Sequence, residues 1–251
     1  MLPLTVVILT KNEERNIARC LQPLLALSND ILVMDSGSSD RTIEIARTMG
    51  ARVVETEWLG YSATKNKGNQ LAKNDWILSL DADEEMKDEL VASITQLFQH
   101  KLEPNQMYAI QRKLIYCGKT LHFGAVKNEF RFRIFNRTIT AWNHHDVHED
   151  LQSKEASQKI KLKGYVLHHS YLSSEEHLGK LETYAKLSAQ QMLKNGRRAS
   201  FIKCYLSPPF GFFKNVVLRC GFLDGNLGLR YARENMWYVK RKYQLLKQLV
   251  K

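Results

Sequence analysis

Apolar and polar positions alternate through the first third of the chain at the spacing of strand, helix, strand, helix. Leu4 to Leu9 is a β-branched run that Thr10-Lys11-Asn12-Glu13 ends, and Ile17, Leu21 and Leu24 then recur at helical spacing. Ile31 to Met34 reads as a second strand, stopped by Asp35-Ser36-Gly37-Ser38-Ser39-Asp40. A helix through Ile43, Ala46 and Met49 follows, closed by Gly50. Arg52 to Glu55 makes a third strand and Tyr61 to Lys73 a third helix. Trp76, Ile77, Leu78 and Leu80 are too continuous for a one-faced strand and too few for a helix, so they predict a fourth strand covered on both faces.

Strands and helices in this order predict an α/β fold with a mostly parallel sheet flanked by helices. Ligands of such sheets bind beyond the C-terminal strand ends. That rule gathers Asn12, Glu13, Asp35, Asp81 and Asp83 on one rim, although Ser38, Asp40 and their neighbours serve equally as turn or helix-cap residues. Asp81 and Asp83, two apart on an extended segment, point the same way, and paired hard oxygens suit Mg²⁺ or Mn²⁺ when phosphate fills the other positions. The competing reading is an acidic helix start, which Glu84, Glu85 and Asp88 fit.

Beyond the rim, Leu90, Val91, Ile94, Leu97 and Phe98 mark an amphipathic helix, while Met107 to Ile115 and Phe130 to Phe135 read as strands. Arg131 and Arg133 are expected as exposed strand charges, with phosphate contact as the alternative. Residues 142–150 crowd His144, His145, His148, Asp146, Glu149 and Asp150 behind Trp142. A zinc-protease helix is excluded there, because Gln152 stands where His-Glu-x-x-His needs its second histidine. Leu178, Leu181, Tyr184, Ala185, Ala189, Met192 and Leu193 trace a packed helix that Gly196 stops.

Composition adds class and compartment. A 44% hydrophobic fraction with 10% aromatics over 251 residues argues a globular chain with one substantial core. Cys20, Cys117, Cys204 and Cys220 are scattered without a Cys-x-x-Cys pair, so they are expected as reduced core residues of a cytosolic protein. Neither a signal peptide nor a membrane-spanning run is expected. Residues 197–251 hold 12 Lys and Arg against Asp224 and Glu234, which is ten of the chain's eleven excess positive charges. A near-neutral body, residues 1–196, is therefore expected to carry a basic helical extension, residues 197–251, that meets an anionic surface.

Thr-x-Asn-Glu after strand one, Asp-Ser-Gly-Ser-x-Asp after strand two, Lys65-Asn66-Lys67-Gly68, and Leu-Asp-Ala-Asp-Glu after strand four together resemble family 2 glycosyltransferases. The resemblance implies a GT-A fold with a Rossmann-like nucleotide-binding half and a nucleotide-sugar donor. By it, Thr10, Asn12, Glu13 and Asp35 hold the nucleoside, Lys65 lies near base or diphosphate, Asp81 near the ribose and Asp83 on the metal. It also implies a general base near residue 149: Glu149, with Asp150 as rival and His148 as an orienting or acceptor-binding group. His168 is its second metal ligand, with His169 the alternate and a core histidine the structural reading.

His148-Glu149 and Gly221-Phe222-Leu223-Asp224-Gly225 look like the branch that builds bacterial lipopolysaccharide cores. That branch implies transfer of a hexose, glucose from UDP-glucose, to an inner-core heptose of a lipid-linked acceptor, on the cytoplasmic face of a Gram-negative inner membrane. Phe201, Tyr205, Phe210, Phe212 and Phe213 interleaved with Lys203, Lys214 and Arg219 suit a membrane interface, or alternatively an aromatic packing face. Two other classes compete: a phosphatase using Asp81 as nucleophile, and a nucleic-acid-binding protein using the basic end, for which no helix-turn-helix, zinc or RNA-binding signature is present, so nucleic acid is not expected as a partner.

Overall fold

A computed structural model describes residues 1–143, 150–200 and 202–250. Strand β1 (Leu2–Thr10) lies between β2 (Ser28–Asp35) and β4 (Trp76–Asp81), and β3 (Arg52–Glu55) pairs beyond β2, all parallel. Helices α1 (Ile17–Leu21), α2 (Thr42–Thr48) and α3 (Tyr61–Leu71) connect them. This is the Rossmann-like half expected. Beyond β4 the sheet turns antiparallel through β8 (Phe130–Asn136) and β6 (Gln106–Tyr116), then continues to β11 (Gln158–Tyr171) and β5 (Glu84–Met86). The short β7 (Lys119–Thr120) pairs with the end of β6, and β9 (Thr140–Trp142) forms a separate pair with β10 (Leu151–Ser153). The whole is a GT-A-like α/β fold.

The continuous apolar runs follow from burial on two faces. In β1, Leu4, Val6 and Ile8 enter one core with Leu78 and Leu80. Val7 and Leu9 point the other way, into a core with Leu32, Met34, Ile77 and Phe135. Helix α3 crosses this second face so closely that a Cβ at Gly68 would lie 2.5 Å from Val7 Cγ1. α4 (Asp88–Leu97) buries Leu90 and Ile94.

Glu84 and Glu85 are not at a helix start. They belong to β5, which pairs with β11, and α4 begins at Asp88. The long-range partner strand outweighs the local charge pattern.

The chain forms two compact units: residues 1–112 with 128–168, and residues 113–127 with 169–251. The second contains α5 (Ser174–Lys194), capped where Ser173 Oγ accepts the Glu176 N–H, and α7 (Gly225–Leu249). Between them, π-helical turns (Ile202–Leu206 and Lys214–Leu218) flank α6 (Ser207–Phe213). Glu234 of α7 is buried and accepts from Tyr116, Ser174 and His177, and the His177 ring packs against Tyr116, Tyr171 and Tyr231. His177, not Tyr184 or Leu193, is on the buried face of α5. All four cysteines are free, but only Cys20 is fully buried; Cys117, Cys204 and Cys220 are half-buried. Among the described residues no helix is long and apolar enough to cross a membrane.

Candidate active site

Register brings the predicted rim together. Thr10 stands opposite Asp35 across β1 and β2, and Leu9 opposite Asp81 across β1 and β4, so three strand ends meet. Asn12 follows in the left-handed region (φ 56°); its N–H donates to Ser38 Oγ, and its Oδ1 accepts the Ser39 N–H, both at 2.8 Å. Glu13 is tied to the same side, its N–H donating to Thr42 Oγ1 and its carboxylate accepting from Asn16.

Asp35 is buried and holds the turn after β2: Oδ1 accepts the N–H groups of Gly37 and Ser38, and Oδ2 accepts the Ser38 hydroxyl. Asp40 caps its neighbourhood in the same way, accepting from Thr42 and Glu14. These two carboxylates shape the rim. The Oγ1 of Thr10 and the Oγ of Ser36 are buried there without a hydrogen-bond partner among the described residues.

Asp81 is gripped by two cations. Arg133 Nη2 lies 2.8 Å from its Oδ2 and Lys65 Nζ 3.5 Å from its Oδ1, while its own N–H donates to Glu84 Oε2. Burial works against ionisation, but Arg133 and Lys65 hold the carboxyl well below the usual carboxylate range. Arg133 also binds Glu84 Oε1 at 2.5 Å, and Glu84 is fully buried. Arg131 is exposed as expected; Arg133 is not. Arg133 sits far enough along β8 to lie under the rim, where two carboxylates offset its desolvation. Neither Arg133 nor Glu84 stood among the predicted site residues.

Lys65 is almost fully buried and lies 4.6 Å over the ring of Trp142. The neighbouring Asn66 clamps the Trp142 backbone at both ends: Nδ2 donates to its carbonyl and Oδ1 accepts its N–H. Asn143 in turn accepts from Ser62 and donates its N–H to the Asp150 carbonyl. Thus α3 and the β9–β10 pair fix both ends of the stretch expected to carry the general base. His148 and Glu149 lie outside the described residues. Asp150 is exposed, with Oδ1 accepting the Leu151 N–H.

Asp83 lies two residues beyond the end of β4, and β11 delivers a histidine to it. His168 stands opposite Glu84 in the β5–β11 register, and its Nε2 lies 3.2 Å from Asp83 Oδ2. His169, one residue on, faces the other side of the strand. Nearby, the Cys20 thiol is pushed well up, first by burial and then by the carboxylates of Glu84, Asp83, Asp81 and Glu13. A carboxylate and an imidazole this close fit a divalent cation that takes its remaining ligands from phosphate and water. Among the described residues no cluster of three or more such ligands forms.

Residues 5–153 match the family model described as glycosyl transferase family 2. An uncharacterised glycosyltransferase of Rickettsia typhi is 30% identical over 233 residues, covering 90% of this chain and 80% of that protein. The lipopolysaccharide core biosynthesis glycosyltransferase LpsC of Rhizobium meliloti is 27% identical over 245 residues, covering 92% of this chain and 89% of that one. Among solved structures, S. aureus TarS overlaps 96% of this chain and 55% of its own, with a TM-score of 0.48 at 14% identity.

Proposed function

The chain belongs to glycosyl transferase family 2, and from that premise we propose that it transfers a hexose, with inversion, from a UDP-sugar to a lipid-linked lipopolysaccharide core. Glucose from UDP-glucose and an inner-core heptose are the donor and acceptor we favour. The observation that carries the reading is the pairing of Asp83 with His168 beside a separately neutralised Asp81. Likeness to LpsC over most of both chains supports the lipopolysaccharide acceptor.

The roles divide by environment. Asp81, held by Arg133 and Lys65, is a fixed anion that orients the ribose. Thr10, Asn12, Glu13 and Asp35 line the nucleoside side, and Lys65 lies toward the base or diphosphate. Asp83 and His168 hold Mg²⁺ or Mn²⁺, which when bound neutralises the diphosphate leaving group. The acceptor oxygen bonds to the anomeric carbon as the bond from that carbon to the diphosphate oxygen breaks. Glu149, or its rival Asp150, takes the hydroxyl proton on the face opposite the leaving group, and His148 orients it. An Asp81 nucleophile, as in a phosphatase, is disfavoured because it leaves Asp35, the Asn12–Glu13 pair and the Asp83–His168 pair without a role. The acceptor is anchored in the cytoplasmic leaflet, so the enzyme works as a peripheral protein on that face of the inner membrane.

Calorimetric titration of UDP, with GDP and ADP as controls and with and without Mn²⁺, tests the donor site. Metal-dependent, UDP-selective binding in the wild type that is lost in Asp83→Ala is expected. Absence of nucleotide binding under every condition sinks the proposal.

A further inference from the structure

We propose that the helical stretch from Ile202 to Leu218 is an in-plane anchor that docks this protein on a bilayer of anionic phospholipid. The two π-helical turns and α6 follow one another without a break across these residues. Ile202, Leu206, Phe210, Phe213 and Val217 are spaced four, four, three and four apart, which sets them along one side of a helix. All five are exposed, between 47% and 64%. Pro208, on the other side, is buried, and α6 packs there against α7. The stripe is thus the solvent side of a supported element, and it is apolar where a solvent side is ordinarily charged.

Charge selects the occupant. From Thr183 to Leu223 the chain has seven Lys and Arg and neither Asp nor Glu. Within the helical stretch, Lys203 and Lys214 are exposed beside the stripe, and Arg219 follows its end. A protein partner of apolar character has no need of a surface cleared of acids, whereas anionic headgroups do. Aromatic side chains among cations suit the headgroup boundary, into which an amphipathic helix sinks only its apolar side. No described helix spans a membrane, so the contact is lateral. This surface deepens the lipid-linked acceptor reading and rests on it for its purpose, since an enzyme held on the leaflet meets such an acceptor in two dimensions.

The test is cosedimentation of the full chain with vesicles of phosphatidylcholine, with and without phosphatidylglycerol, at low and high salt. Binding is expected only to the anionic vesicles and is expected to weaken with salt. Phe210→Glu with Phe213→Glu should lower the bound fraction about tenfold or more, and Lys203→Glu with Lys214→Glu by a similar factor. Circular dichroism and UDP titration report that the variants are folded. Equal binding of wild type and variants, or equal binding to neutral vesicles, overturns the proposal. So does a concentration-dependent dimer in size-exclusion light scattering that Phe210→Glu dissolves, because a second copy then covers the stripe. Salt-sensitive oligonucleotide binding lost in the Lys203→Glu, Lys214→Glu variant, without vesicle binding, overturns it in favour of nucleic acid. Vesicle binding is read without donor or turnover, so docking and the donor site fail independently.

Discussion

Arg133 donates to Asp81 and Glu84 from a position that is 5% exposed, so its removal leaves two carboxylates without their strongest cation. Arg133→Met is expected to cost about 3–5 kcal/mol in urea unfolding, the range for breaking a buried pair by one partner. Arg133→Lys should recover little of it, because a single ammonium does not reproduce a planar guanidinium spread over two acids. Stability of the Met variant within 1 kcal/mol of wild type rules this account out. The sequence shows Arg131 and Arg133 alternating with apolar neighbours and gives both the same face. It does not show how far along β8 the rim lies, nor that Glu84, 49 residues earlier, supplies the counter-charge. The strand-end position of Asp81 and Asp83 was legible for the opposite reason, because local apolar runs set where β4 stops, whereas His168 was offered only by the family resemblance, since its approach to Asp83 depends on the distant β5–β11 register. Asp35 and Asn12 stand where the motif places them, but their polar atoms largely hold the turn.

Among the elements, α3 sets the site. Gly68 lets it settle on β1 and β2, and one turn earlier it presents Lys65 to Asp81 and Asn66 to Trp142. Gly68→Ala adds a methyl 2.5 Å from Val7 Cγ1, and overpacking of this kind costs about 1–3 kcal/mol. Thermal unfolding should show that loss, UDP affinity should fall with it as Lys65 shifts, and Val7→Ala in the same chain should restore part of both. No rescue by Val7→Ala means the crowding is not the cause. The three βα connections were legible because each is specified by ten to twenty adjacent residues. Strand β5 was not. Its acidic composition suggests a helix start, and only pairing with β11 overrides that suggestion. Likewise α5 was found but its buried face was misjudged at Tyr184, because the partner of His177 is Glu234, on a helix that begins thirty residues after α5 ends.

At the scale of the molecule, the two units are expected to respond to acid in different windows. In the second, burial lowers the His177 pKa and Glu234 only partly opposes it. Between that lowered value and the ordinary 6.5, the unfolded chain holds the extra proton, so stability falls as pH drops through this range. In the first, burial opposes ionisation of Asp30, but the Lys73 N–H, Thr5 hydroxyl and Arg52 guanidinium lower its pKa. A depressed carboxylate contributes stability above its unfolded value that is lost only on falling through its folded one, so this unit should hold until about pH 4. Hydrogen exchange followed by mass spectrometry from neutral pH downward reads both: residues 169–251 should lose protection first, and simultaneous loss contradicts the assignment. The edge strand β5 has a consequence for biosynthesis. Its partner residues Val166 to His168 are made 80 to 84 positions after the residues of Glu84 to Met86 that they pair with, so on the ribosome the parallel half is complete while Asp83 still lacks its histidine. Loop closure of that span is slow compared with helix formation. A nascent chain halted before β11 therefore carries an open strand edge, and chaperone capture at that stage is where a lost β5–β11 register would first be felt.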